Sequence, residues 1–132
     1  MEPPDAVIAT FLARYGDALS QGHLTDISDC WEMPAFVLSD GGAVAVGTPE
    51  EVERFFAQSV AWYRTQGYVA TKPTIYRAEW LGERLISADV GWAALDGSGN
   101  VKMRERSRYL IRLDDRGQPR IRIAVATSVP EL

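Results

Sequence analysis

The apolar positions near the start of the chain, Ile8, Phe11, Leu12, Tyr15 and Leu19, recur at spacings of three and four. That is the repeat of a helix with one buried face, and it predicts a first helix over Pro4 to Ser20, stopped at Gly22. Leu24, Ile27 and Trp31 keep the same spacing and predict a short second helix over Leu24 to Trp31, which Pro34 ends because proline cannot continue the hydrogen-bond ladder. Phe36 to Leu38 and Ala43 to Val46 read as two short strands joined by the turn Ser39-Asp40-Gly41-Gly42. Thr48-Pro49-Glu50-Glu51 then supplies an N-cap threonine, a proline at the first helical position and a capping-box glutamate. The third helix that starts there carries Val52, Phe55, Phe56, Ser59, Val60 and Tyr63 on its inward stripe and closes at Gln66-Gly67.

After Gly67 the period drops to two. Strands are expected over Tyr68 to Leu81, Leu85 to Leu95, Val101 to Leu113 and Arg120 to Ser128, with Gly82-Glu83, residues 96–100 and residues 114–117 as hairpin turns. In the third of these strands Val101, Met103, Glu105, Ser107, Tyr109, Ile111 and Leu113 share one face, while Lys102, Arg104, Arg106, Arg108 and Arg112 share the other. The apolar face must look inward, which sets Glu105 among apolar neighbours. The last strand is read with Ile121, Ile123 and Val125 inward and Arg120 and Arg122 outward. In the second, Ile86, Ala88, Val90, Trp92 and Ala94 face one way, and the opposite face of Leu85, Ser87, Asp89, Gly91 and Ala93 is also largely apolar. A strand apolar on both sides is usually covered on both, so a second copy is expected on the outer sheet surface.

A helical front half followed by a strand meander predicts one α+β domain over residues 1–132. With 46% hydrophobic and 24% charged residues the chain can bury a sizeable core. No apolar run has the roughly 18 to 20 residues that cross a bilayer, and Met1 to Asp5 lacks the basic and apolar segments of a signal peptide. A cytoplasmic protein with no membrane association is expected. Residues 1–60 carry ten acids against two arginines, a net −8, and residues 61–132 carry eight acids against twelve basic residues, a net +4. The halves are electrostatically complementary, and the overall acidity argues against nucleic acid as a partner. One cysteine, Cys30, and one histidine, His23, give neither an internal disulfide nor a zinc constellation, which leaves only carboxylate sites open to a metal; no structural metal is expected, and no cofactor.

The order helix, short helix, strand pair, capped helix and four-strand meander resembles the nuclear-transport-factor-2-like superfamily, which includes ketosteroid isomerases, polyketide cyclases and dehydratases. The resemblance covers nearly the whole chain and implies a cystatin-like cone: three helices packed on a curved, mostly antiparallel sheet, closing one side of a deep apolar pocket, with dimers commonly formed through the sheet. Locally, Arg14-Tyr15 through Asp40 is similar to ketosteroid isomerase, with Ala18-Leu19, Gly22, Leu24, Ile27, Trp31 and Val37 at matching places. The resemblance implies that Tyr15 stands where that family's enolate-stabilising tyrosine stands. It also puts Ser39 at the place of the catalytic aspartate, with Asp40 one residue away, and Tyr109 at the place of the buried proton-donating aspartate. A serine cannot shuttle a proton in that role, and a one-residue shift along a strand reverses the face, so the departures weigh against steroid isomerisation.

The candidates for chemistry are therefore Glu105, Tyr15, Tyr109 and Asp40, and those for contact with a small, largely apolar ligand are Trp31, Phe36, Phe56, Tyr63, Ser107 and Met103. Desolvation of an inward Glu105 would favour its protonated form, the property wanted in an acid or base, whereas an inward arginine would make it a structural ion pair. Trp31, Phe36, Phe55, Phe56, Trp62, Tyr63, Trp80 and Trp92 provide more aromatic surface than folding alone requires. The arginines of the outer face either grip an anion or are laced to acids; lacing is the simpler reading. Three functions stay open: a pocket that binds an apolar molecule, an acid-base isomerase, cyclase or dehydratase, and a dimerisation module with a filled cone.

Overall fold

The computed structural model describes residues 2–127. Helix α1, Pro4–Gln21, begins on a proline and ends at Gly22, whose φ of 70° is the left-handed conformation that glycine adopts without penalty. Helix α2, Leu24–Ser28, is shorter than the apolar spacing suggested. Trp31 is not its last turn but the first residue of strand β1, Trp31–Ser39. The inward series is then Trp31, Met33, Ala35 and Val37, so Phe36 lies on the outer face and is 43% exposed. Strand β2, Gly42–Val46, folds back on β1, with Val37 opposite Val44 and Ala35 opposite Val46.

Helix α3, Pro49–Thr65, is capped as its sequence requires. The Glu51 amide donates to Thr48 Oγ1 at 3.3 Å, and the Gly47 amide donates to Glu51 Oε2 at 3.0 Å. Strands β3, Tyr68–Trp80, β4, Leu85–Asp96, β5, Val101–Leu113, and β6, Pro119–Ala126, follow as an antiparallel meander. The expected end of the last strand at Ser128 lies outside the described residues. The six strands lie in the order β2-β1-β6-β5-β4-β3, and β1 runs parallel to β6. No helix among the described residues is long and apolar enough to cross a membrane.

One irregularity corrects the expected facing of β6. Leu110 lies opposite Ile123 and Ile111 opposite Ile121, so Arg122 is an extra residue in β6. A bulge of one residue reverses every later side chain. Ile121 points inward as expected, but beyond Arg122 it is Ala124 and Ala126 that face in, and Ile123 and Val125 face out.

The outer face of β4 is likewise not the open apolar surface its sequence suggested. Tyr76, the extra residue in a bulge of β3, lies close over Gly91, and the Arg106 guanidinium stacks 4.2 Å from the Tyr76 ring while its Nε donates to Asp89 at 3.0 Å. The chain itself covers Gly91, and the Tyr76 ring that does so is 51% exposed. Further along the sheet Phe36 and Leu38, the latter 36% exposed, are also open, beside their partners Ile123 and Val125. Most of the outer arginines meet acids, including Arg112 and Arg122, which both reach Glu32.

The core lies between α1 and the concave face of β4, β5 and β6, with Ile8, Leu12, Ile86, Ile111 and Ile121 fully buried. The helix approaches closely because residue 16 is glycine: a Cβ there would stand 3.1 Å from the Trp92 ring and 3.2 Å from the Thr71 carbonyl oxygen. Ser20, one turn on, accepts from the Thr71 amide at 2.9 Å and donates to the Gly16 carbonyl at 2.7 Å. Replacing Gly16 by Val should therefore destabilise the fold by about 1–3 kcal/mol in urea denaturation, the usual cost of overpacking. An unchanged midpoint would show that α1 does not press on the sheet there.

Candidate functional site

The inward face of a twisted sheet closes only where a helix lies on it. Helix α1 seals one end, but α3 stands off: of its inward stripe only Val52 is fully buried, and Phe55 is 40% exposed. The gap is a cavity of about 210 Å³. Its walls are Tyr15 and Leu19 from α1, Trp31 and Val37 from β1, Phe55, Phe56, Ser59, Val60 and Tyr63 from α3, Thr71 from β3, Trp92 from β4, Glu105, Ser107 and Tyr109 from β5, and Ala124 and Ala126 from β6.

The floor is an aromatic cluster around Tyr15. Its ring packs edge-on against Trp92 at 5.8 Å, Tyr109 at 6.4 Å and Phe56 at 6.5 Å. Trp92 Nε1–H donates to the Tyr109 hydroxyl at 2.8 Å, which satisfies a buried indole and leaves the Tyr109 proton to be donated elsewhere. Burial pushes the Tyr15 phenol well above its ordinary value, and the nearby Tyr109 adds to this, while the indole N–H of Trp31 works the other way. That N–H is buried and meets no acceptor in hydrogen-bonding geometry, so burial dominates the shift of Tyr15.

At the open end Tyr63 Oη–H donates to Glu105 Oε1 at 2.8 Å. Tyr63 is itself fixed by a ring triad with Trp62 at 5.8 Å and Tyr68 at 5.4 Å. Burial first, and the Glu105 carboxylate second, raise the Tyr63 phenol strongly. Glu105 faces the cavity as its strand position required, yet it is exposed. The withdrawal from water that an acid or base there would use is absent, and so is the inward arginine: among the described residues no cation pairs with it.

Of the residues singled out by sequence, Tyr15, Trp31, Phe56, Tyr63, Glu105, Ser107 and Tyr109 come together on this cavity. Phe36 does not, because β1 starts five residues earlier than expected and Val37 takes the inward place. Met103 is half-buried but one step past Glu105 toward the β4–β5 turn, beyond the cavity wall. Asp40 sits in the exposed turn between β1 and β2, away from the cavity. Val37 and the two alanines of β6 were missed. The first shares the alternation of Trp31, Met33 and Ala35, which the equally good helical spacing of Trp31 with Leu24 and Ile27 masks; the alanines carry no signal, because nothing in the sequence marks Arg122 as a bulge.

A sequence profile for an NTF2-like protein family, DUF6841, matches residues 4–131. The chain belongs to this NTF2-like family. Solved structures agree with the assignment. A cystatin-like domain of unknown function from Nostoc punctiforme superposes with a TM-score of 0.74 at 16% identity over 98% of this chain and 79% of that one. An NTF-2 like protein of unknown function from Shewanella oneidensis gives 0.72 at 15% over 96% and 100%. A ketosteroid isomerase-like protein from Erwinia carotovora atroseptica gives 0.70 at 12% over 99% and 100%. At such identities the likeness concerns the NTF2-like fold and not the chemistry. No curated protein matches the sequence.

The buried phenols give this NTF2-like site a pH signature. Tyr109 is pushed up to about 12 by burial, and Tyr15 and Tyr63 are also raised above the ordinary 10.0. Their protons are held in the fold and released on unfolding once the pH exceeds 10, so the stabilisation is complete below pH 10 and is lost as the pH rises through the folded values. Denaturant titrations should show stability falling between about pH 10 and pH 12 by up to ~1.4 kcal/mol per unit for each such phenol. Stability that stays flat across this window would show that the phenols are not held.

Proposed function

We propose that this NTF2-like chain binds a small, largely apolar molecule in the cone. The observation that carries the reading is the cavity of about 210 Å³ between α3 and the sheet, walled by rings and short aliphatic side chains with only a few polar groups. An apolar cavity of about 150 Å³ is enough to bind benzene, so the space suits a compact ring system of one or two rings. Few, separated polar groups on an aromatic wall are the usual make-up of ligand pockets. A filled cone acting only as a dimerisation module would have no such space. Proton-transfer chemistry by Glu105 is less favoured, because that carboxylate lies open to water.

Indane, a compact bicyclic hydrocarbon, is a suitable probe. Saturating titration should alter tryptophan emission, since Trp31 and Trp92 both border the space, and raise the melting temperature by several degrees through preferential binding to the folded state. Ala124→Phe, which fills the space from the β6 wall, should remove both responses while leaving the chain folded. A wild-type protein that shows no saturable response to indane would remove the basis of the reading.

The apolar residues of the outer face support a second copy as the partner of that surface. Phe36, Leu38, Ile123 and Val125 lie together there, next to a stretch in which Arg77, Asp89 and Arg108 alternate in sign. A face that carries both signs can match its own two-fold copy. Light scattering should give twice the 14.6 kDa chain mass, and the double change Phe36→Asp with Leu38→Asp should halve it without unfolding. A wild-type monomer at high micromolar concentration would refute this partner.

A further inference from the structure

Glu105 is the one formal charge on the cavity wall, and what stands around it narrows the ligand class. The carboxylate is not consumed by a structural partner. Tyr63 engages Oε1 at 2.8 Å, and among the described residues no second donor and no cation reaches the group. Its strand neighbours Arg104 and Arg106 belong to the opposite face of β5, and Arg106 is committed to Asp89 at 2.9 Å and to the Tyr76 ring at 4.2 Å. The side chain is also held: the Tyr63 hydroxyl, packed against the Trp62 and Tyr68 rings, fixes one oxygen.

A fixed anion at the rim of an aromatic cavity has a definite complement. Phenyl and phenol rings present a negative face that attracts organic cations, and a carboxylate adds a charge-assisted hydrogen bond to an ammonium group. The same arrangement repels a ligand that brings a carboxylate or phosphate to the rim. We propose that the ligand is a hydrophobic organic amine, its ring system in the cavity and its protonated nitrogen at Glu105. This rests on the binding reading above and goes further by assigning the polar end of the molecule.

Three probes of nearly equal shape separate the two claims: indane, indanol and aminoindane, the last protonated at neutral pH. Affinities from tryptophan fluorescence titration should rank aminoindane about fivefold or more above indanol, whose hydroxyl can also reach the carboxylate, the difference being that of an exposed ion pair with a cation–π contact. Glu105→Gln, which keeps an acceptor for Tyr63, should abolish that preference, so that aminoindane and indanol bind with equal affinity. If aminoindane binds no tighter than indanol, or keeps its advantage in Glu105→Gln, the amine assignment is overturned while indane binding still upholds the pocket. If the wild-type protein binds none of the three, both fall together.

Discussion

The contact on which the rest of the molecule depends is that of Trp92 with the underside of α1. The indole lies against a helix position that has no side chain, with a hypothetical Gly16 Cβ only 3.1 Å from its ring, and its N–H is satisfied by Tyr109 at 2.8 Å on the neighbouring strand. This locks one helix to the centre of the sheet. The locked end is dry and packed, with Ile8, Leu12, Ile86 and Ile111 at no exposure. The opposite end is less closely packed, since Val52 near its start is the one buried residue of α3, so hollow and core are two ends of one surface. The floor of the hollow is then as rigid as the core, which is what a site with defined geometry requires.

Where the sequence spoke in strict period it was read correctly. The capped start of α3 and the two faces of β5 from Met103 onward were legible from residue types alone, because threonine, proline and glutamate at fixed offsets satisfy helix-end amides and because a sustained alternation has only one inward solution; at Lys102 an extra residue interrupts it, and Val101 pairs with Leu95 of the outer face instead. That alternation alone puts Glu105 on the cavity side. Its environment was not legible, because alternation gives a direction and not a depth: the strand passes from the buried Tyr109 to the open rim within four residues.

The errors have one physical cause, which is that short-range patterns do not report register. Trp31 fits a helical stripe with Leu24 and Ile27 as well as it fits a strand with Ala35 and Val37, and only pairing with Ile121 of β6 decides between them. The bulge at Arg122 is a similar case. The residue is stabilised there by contacts nearly ninety positions away, its Nε donating to the Pro34 carbonyl at 2.9 Å and Nη1 to Glu32 at 2.8 Å. The charge asymmetry between the two halves, visible in the composition, finds its use in these same bonds.

The parallel pairing of β1 with β6 joins the first strand of the chain to the last, with Phe36 beside Ile123. A nascent chain emerging from the ribosome can form α1, α3 and the β3–β5 hairpins early, yet the hairpin of β1 and β2 has nowhere to attach until β6 has been made. Closure of the sheet is a late, long-range event. Until then Trp31 and Val37 have no β6 beside them, and the hollow is completed only once β6 has been made.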